Sequence, residues 1–158
     1  MSYKVGRRFE YHVVYKLRSF GFDAKRVTLS GKRSEFYPAC DVIVKIGENI
    51  LKGKLKTTKK KEYVSIPLQD FIELSQNVIH FLCFGFYRTK PYFIVNIQKE
   101  NLANIEKNGK KFISFSKKDV ENLPINILIK EINKNFLIVS LEDFVNILKN
   151  LEAQKLPL

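Results

Sequence analysis

Val5, Phe9, Val13, Leu17 and Phe20 recur at three- and four-residue spacing and draw one apolar stripe down a first helix that ends near Gly21. Glu10 lies beside that stripe. An extended piece over residues 24–28 and a polar loop over 29–38 lead to the β-branched run Val42-Ile43-Val44-Lys45-Ile46, a strand opened by Asp41. Gly47-Glu48-Asn49 supplies a hairpin turn. In the run that follows, Leu51, Gly53 and Leu55 alternate with Lys52, Lys54 and Lys56, a period of two that sends three lysines to one face of a strand. A further strand over 63–66 meets Pro67, which suits a first helical position. Leu68, Phe71, Ile72, Ser75 and Ile79 then mark the buried stripe of a second helix.

Apolar strands are expected over 80–87 and 92–97, joined by Arg88-Thr89-Lys90. Beyond Gln98 the pattern predicts only a strand over 112–115, a helical turn opened by Ser116 and Asp119, and a C-terminal helix over about 140–154. That last helix follows Ser140 and Asp143, which have capping-box spacing, and carries Leu141, Phe144, Val145, Leu148 and Leu151 on one side. Repeats, linkers and low-complexity segments are absent, so residues 1–158 read as a single α/β domain with a mixed sheet flanked by helices.

Composition supports a folded core: 45% of the chain is apolar, with 13 Phe and 7 Tyr. No apolar run is long enough to cross a bilayer, and the N-terminus lacks the apolar segment of a secretory signal, so a cytoplasmic location is expected. Cys40 and Cys83 sit in apolar surroundings and are too few for a disulfide framework or a four-ligand zinc site. Charge adds more. The net charge is +12, and it is placed: residues 1–61 carry 16 Lys/Arg against 5 Asp/Glu, while the remainder carries 12 against 11. Clustering of this kind points to a polyanion, with nucleic acid first, over a merely solvated face. Three ammonium groups on one strand face must meet water or an anion, because burying them unpaired is too costly.

Within that basic segment, Glu10 and Asp41 stand out as isolated carboxylates. Hard divalent cations are held by a few carboxylates, and in phosphodiester cleavage such an ion activates water while a nearby lysine steadies the phosphate. Taken alone, Glu10 is an ordinary helix residue and Asp41 an ordinary turn or strand-opening residue.

The order of these motifs resembles the archaeal Holliday-junction resolvases of the restriction-endonuclease-like superfamily. Gly6-Arg7-Arg8-Phe9-Glu10 is similar to their basic opening with its helical glutamate. Ser30-Gly31-Lys32-Arg33 resembles their serine-glycine loop, Pro38-Ala39-Cys40-Asp41-Val42-Ile43 the segment leading into the metal-binding strand, and Leu141-Glu142-Asp143-Phe144-Val145 the opening of their final helix. The resemblance implies a restriction-endonuclease-like fold, a two-fold homodimer, branched DNA as ligand, and Glu10, Asp41, Lys56 and Ser30 as catalytic residues. Glu10 and Asp41 would be the metal ligands and magnesium the cofactor, if the site is active. Two residues separate Pro38 from Asp41, which loosens the match there.

One departure outweighs the match. Where the family has Glu-x-Lys, this chain reads Lys54-Leu55-Lys56, so a cation replaces a metal-binding carboxylate. Lys54 would repel a divalent ion and could pair with Asp41 or Glu10 instead, which predicts an inactive or severely impaired nuclease site that needs no metal. A displaced carboxylate, Glu35, Glu48 or Glu62, would be needed to rebuild an active magnesium-dependent resolvase. Arg7, Arg8, Lys32, Arg33, Lys52, Lys54, Lys59, Lys60 and Lys61 are the expected phosphate contacts. The apolar second helix and late strands are the expected dimer surface, and pairing with an active resolvase paralogue is a further expectation. A module whose basic face meets an acidic protein is the alternative from another class. His12 and His80 receive no catalytic role.

Overall fold

The computed structural model describes residues 3–27, 40–59, 62–86 and 89–154. Ser30, Lys32, Arg33, Glu35, Pro38, Lys60 and Lys61, named above, lie outside the described residues, as does Arg88 of the expected turn.

The first apolar stripe forms helix α1, Tyr3–Ser19. Gly21, at φ +94°, ends it: its N–H donates to Arg18 O and the N–H of Phe22 to Leu17 O, the paired closing bonds of a Schellman turn. Lys16 and Arg18 in the last turn face the negative end of the helix dipole. Strand β1, Asp23–Arg26, pairs antiparallel with β2, Val42–Ile46, and β2 with β3, Asn49–Thr57, through a turn at Gly47.

Strand β4, Tyr63–Pro67, precedes helix α2, Leu68–Ser75. Here the structure corrects the sequence reading twice. Pro67 is the N-cap, the last extended residue, and α2 stops at Ser75, because Asn77 turns to φ +60°. Ile79 is buried, but past the helix. After α2, strand β5, Phe81–Gly85, pairs parallel with β3 and antiparallel with β6, Tyr92–Val95.

The second half holds β7, Asn104–Lys107; β8, Phe112–Ser116; a 3-10 turn, Lys117–Val120; β9, Ile125–Ile129; β10, Lys134–Ser140; and helix α3, Leu141–Gln154. Ser116 and Asp119 form the expected capping box, and Ser140 Oγ accepts the N–H of Asp143 at the start of α3. Strands β7, β9 and β10 were not expected. Eight strands make one mixed sheet in the order β1-β2-β3-β5-β6-β10-β9-β7, and β4 pairs with β8 beside it.

Both faces of the sheet are covered, so the central strands are apolar throughout. Phe81, Cys83, Phe93, Val95, Leu137 and Val139 face α1 and α3 with Val13, Leu17, Phe144 and Leu148. Their neighbours Leu82, Phe84, Ile94, Phe136 and Ile138 face Phe71 and Leu74 of α2 and Ile66 and Phe115 of the β4–β8 pair. The apolar side of α2 and the late strands expected at a dimer surface are therefore consumed by this chain's own core. Gly53 is required by this packing, since a Cβ there would overlap the Phe81 ring. Among the described residues no helix is long and apolar enough to cross a membrane.

Candidate functional site

The site is built on the β2–β3 hairpin between α1 and α2. Leu51, Gly53 and Leu55 turn toward the α1 face, so Lys52, Lys54 and Lys56, all half-buried, turn toward the α2 face. Asp41 is held against β3: its N–H donates to Gly53 O at 2.8 Å and its Oδ2 accepts the N–H of Leu55 at 2.8 Å. That places its carboxylate beside the Lys54-Leu55-Lys56 segment.

Lys54 has found other partners than Asp41 or Glu10. Its Nζ hydrogen-bonds Asp70 Oδ1 at 2.9 Å and lies 2.9 Å from Glu73 Oε1. Asp70 and Glu73 are three apart on α2 and so share a helix face. The three side chains are 20%, 13% and 14% exposed, which keeps the ammonium out of bulk water. The Glu73 contact has ion-pair distance without hydrogen-bond alignment, and its buried Oε1 has no hydrogen-bond partner among the described residues.

Burial opposes the charge on Lys54, but its contacts with Asp70 and Glu73 outweigh that cost and hold its pKa above the ordinary lysine value. Asp70 is pushed up as well. Burial is the main cause, Lys54 opposes it, and the charges of Glu73 and then Asp41 add to it. The lysine is thus favoured in its charged form and the aspartate disfavoured in its own, although the two are bonded to each other. Charge counting reconciles these shifts: Lys54 meets two carboxylates, whereas Asp70 meets one ammonium and feels the charges of two other acids, Glu73 and Asp41.

Glu10 is engaged elsewhere. Arg26 Nε donates to Glu10 Oε1 at 3.1 Å, and the same guanidinium lies 4.3 Å from the centroid of the Tyr11 ring. With Glu10 paired to a guanidinium and Asp41 taking a backbone N–H, the two expected metal ligands offer a poor donor set for magnesium. Among the described residues no group of three His, Cys, Asp or Glu is arranged to hold a metal. The described residues therefore do not fit a divalent ion as they stand.

No protein-family model matches the chain, and no curated protein matches it. Among solved structures the chain is similar to Hjc of Archaeoglobus fulgidus, a Holliday junction resolvase from an archaeal hyperthermophile. The identity is 16%, the TM-score 0.48, and the match covers 72% of this chain and 85% of that one.

The remaining expected residues scatter around the hairpin and α1. Arg7, Arg8 and Lys59 are exposed, while Lys52 and Lys56 have no ion-pair partner among the described residues. Of the acids expected as substitutes, Glu48 sits exposed in the hairpin turn and Glu62 exposed before β4. Asp70 and Glu73 were missed, although two acids at i, i+3 on the helix following the lysine strand were a readable signal. His80 is structural: its Nδ1 accepts the N–H of Lys52 at 2.9 Å and its own N–H donates to Lys52 O. Burial, then Lys52, lowers its pKa, which favours the neutral ring that such acceptance requires. Both cysteines are free and buried, and burial alone raises the Cys83 thiol well above its ordinary range.

Proposed function

We propose that this chain is a resolvase-like protein that binds branched DNA, four-way junctions above all, without cutting it. The observation that carries this reading is the ammonium of Lys54, bonded to Asp70 and Glu73 at the strand position where the resemblance calls for a metal-binding glutamate. An internal cation there occupies the place among the acids that a metal would otherwise take. Placement of the charge in the first 61 residues supports a polyanionic ligand. Exposed Arg7, Arg8 and Lys59, with half-buried Lys52 and Lys56, supply phosphate contacts around the hairpin. Such contacts position a protein without reading bases, so the shape of the DNA decides. On the two-fold junction the protein acts as a homodimer through a surface other than the apolar side of α2 and the late strands, which its own core covers, and pairing with an active resolvase paralogue is a second proposed mode of assembly.

A second reading is favoured by one specific observation. Asp70 lies close enough to Asp41 for the charge of one to raise the pKa of the other. If the protein does cleave with magnesium, Asp70 and Glu73, rather than Glu48 or Glu62, are the substitute carboxylates, and Lys54 must swing away. Incubation with a labelled four-way junction, with and without magnesium or manganese, separates the two readings. Metal-independent binding without incision is expected; symmetric metal-dependent incision abolished by Asp41→Asn would establish the enzyme. Junction affinity no greater than duplex affinity at physiological salt would favour an acidic protein partner instead.

A further inference from the structure

Beyond the end of β3 the structure holds a cavity of about 490 Å³ that involves none of Glu10, Asp41, Lys54 or Lys56. Among the described residues it is lined on one side by Val5, Arg8, Phe9, His12 and Lys16 of α1, and on the other by Thr57, Thr58, Phe86, Thr89 and Lys90. Its size lies within the range of small-ligand sites.

The α1 residues fall on one helical stripe, so the cavity meets an ordered row rather than scattered charges. Arg8, His12 and Lys16 are spaced by four, and Arg8 and Lys16 stand about 12 Å apart along the helix axis at 1.5 Å per residue. Neither has an ion-pair partner among the described residues. Lys90 pairs with Glu142 at 3.4 Å, but the two side chains are 75% and 57% exposed, so that contact is easily exchanged. Two of the lining hydroxyls are already engaged, Thr57 Oγ1 donating to Gly85 O and Thr89 Oγ1 to Phe86 O. The charge of an anion is met by the cations.

The floor is apolar and aromatic. Phe9 is half-buried, and its ring lies directly over Gly85, where a Cβ would come within 2.7 Å of it. The Phe86 ring beyond it is braced edge-on by Phe84 and Tyr92. Cations along one wall with an aromatic floor match a ligand that joins phosphate to a flat heterocycle. A bare phosphate would leave the floor unused, and a purely apolar ligand would leave the cations unused.

We propose that this cavity binds one nucleoside monophosphate unit, its phosphate held by Arg8 and Lys16 and its base laid against Phe9. The unit is either an unpaired nucleotide of a DNA strand or a free mononucleotide; only the strand-borne source rests on the function proposed above.

Calorimetric titration of the full chain with dAMP, deoxyadenosine and inorganic phosphate tests the site. The expected result is dAMP binding at least tenfold tighter than either fragment. The double variant Arg8→Ala/Lys16→Ala should lose it, Lys134→Ala, at the exposed first residue of β10, should retain it, and Gly85→Ala, whose Cβ would crowd the Phe9 ring, should weaken it. Equal affinity for dAMP and inorganic phosphate, or dAMP binding unchanged in the double variant, would overturn the proposal. Competition distinguishes the sources: a junction with one unpaired nucleotide at its crossing displaces dAMP if the strand is the ligand, and fails to do so if the free nucleotide is. A junction that binds while dAMP does not defeats this inference alone, and dAMP binding without junction affinity defeats the DNA-binding function alone.

Discussion

Two lysine–carboxylate contacts in this molecule have nearly the same geometry and opposite electrostatic outcomes. Lys107 Nζ lies 2.7 Å from Asp119 Oδ2, with side chains 21% and 18% exposed. Lys54 Nζ lies 2.9 Å from Asp70 Oδ1, with side chains 20% and 13% exposed. Burial raises the pKa of both aspartates. At Asp119 the bonds from Lys107 and the Ser116 N–H reverse that effect and bring it below its ordinary value. At Asp70 the lysine does not suffice, because Glu73 and Asp41 add negative charge to deeper burial. The first is a one-to-one pair at a 3-10 turn; at the second, one ammonium meets two acids and the charge of Asp41 is added at Asp70. Distance alone does not set the direction of the aspartate's shift, whereas burial and the count of surrounding charges do.

The largest effect that separates the two should come from removing each lysine. Lys54→Met leaves two or three acids facing one another in a partly buried place, and urea unfolding should show a loss of about 3 kcal/mol. Lys107→Met strands one acid that keeps its backbone N–H, and the loss should be about 1 kcal/mol. Equal losses would mean that Asp41 and Glu73 contribute nothing to the cluster.

DNA binding sharpens the contrast at smaller amplitude. Arg7→Ala, Arg8→Ala or Lys59→Ala should each lower the slope of log affinity against log salt for a four-way junction by about 0.9, one phosphate contact apiece. Lys54→Gln should leave the slope unchanged, since its charge is already matched by Asp70 and Glu73.

The smallest effect lies in the pH dependence, where the two aspartates have opposite signs. Asp119 has a folded pKa below its unfolded 3.8, so its contribution is present above pH 3.8 and lost as pH falls through the folded value. Asp70 has a folded pKa above 3.8, so lowering the pH through that value toward 3.8 adds stability. Acid titration of stability should therefore become shallower with Asp119→Asn and steeper with Asp70→Asn, each by less than about 1 kcal/mol.

Local periodicity made α1, β3 and α3 legible, because each has one more deeply buried face and the spacing of Val13 and Leu17, or of Leu51 and Gly53, records it. The doubly buried β2, β5 and β6 were legible only as short apolar runs, and the reading failed for β9 and β10. The Phe136–Val139 stretch of β10 is apolar at every position, so no alternation marked it, and in β9 the polar Asn126 is itself buried, so its polarity pointed away from a central strand. The end of α2 was misplaced for a related reason: Ile79 belongs to the same core as Phe71 and Leu74, but reaches it after a turn at Asn77 that apolar spacing cannot reveal. At the site, the sequence exposed the anomaly, a lysine where the resemblance requires an acid. Its partners were hidden, since Asp70 and Glu73 come 16 and 19 residues later and meet Lys54 only because α2 crosses back over β3 on the way to β5.

The central test is a thermal melt of the protein and its Lys54→Glu variant, each with and without millimolar magnesium or manganese. Without metal, the variant places a fourth carboxylate among Asp41, Asp70 and Glu73 and should melt well below the parent. With metal, the variant should recover much of that loss while the parent does not move, because its own ammonium already occupies the acids. A parent stabilised by the metal ions, or a variant indifferent to them, would contradict the proposal that the Lys54 ammonium stands where a resolvase would hold a metal-binding acid.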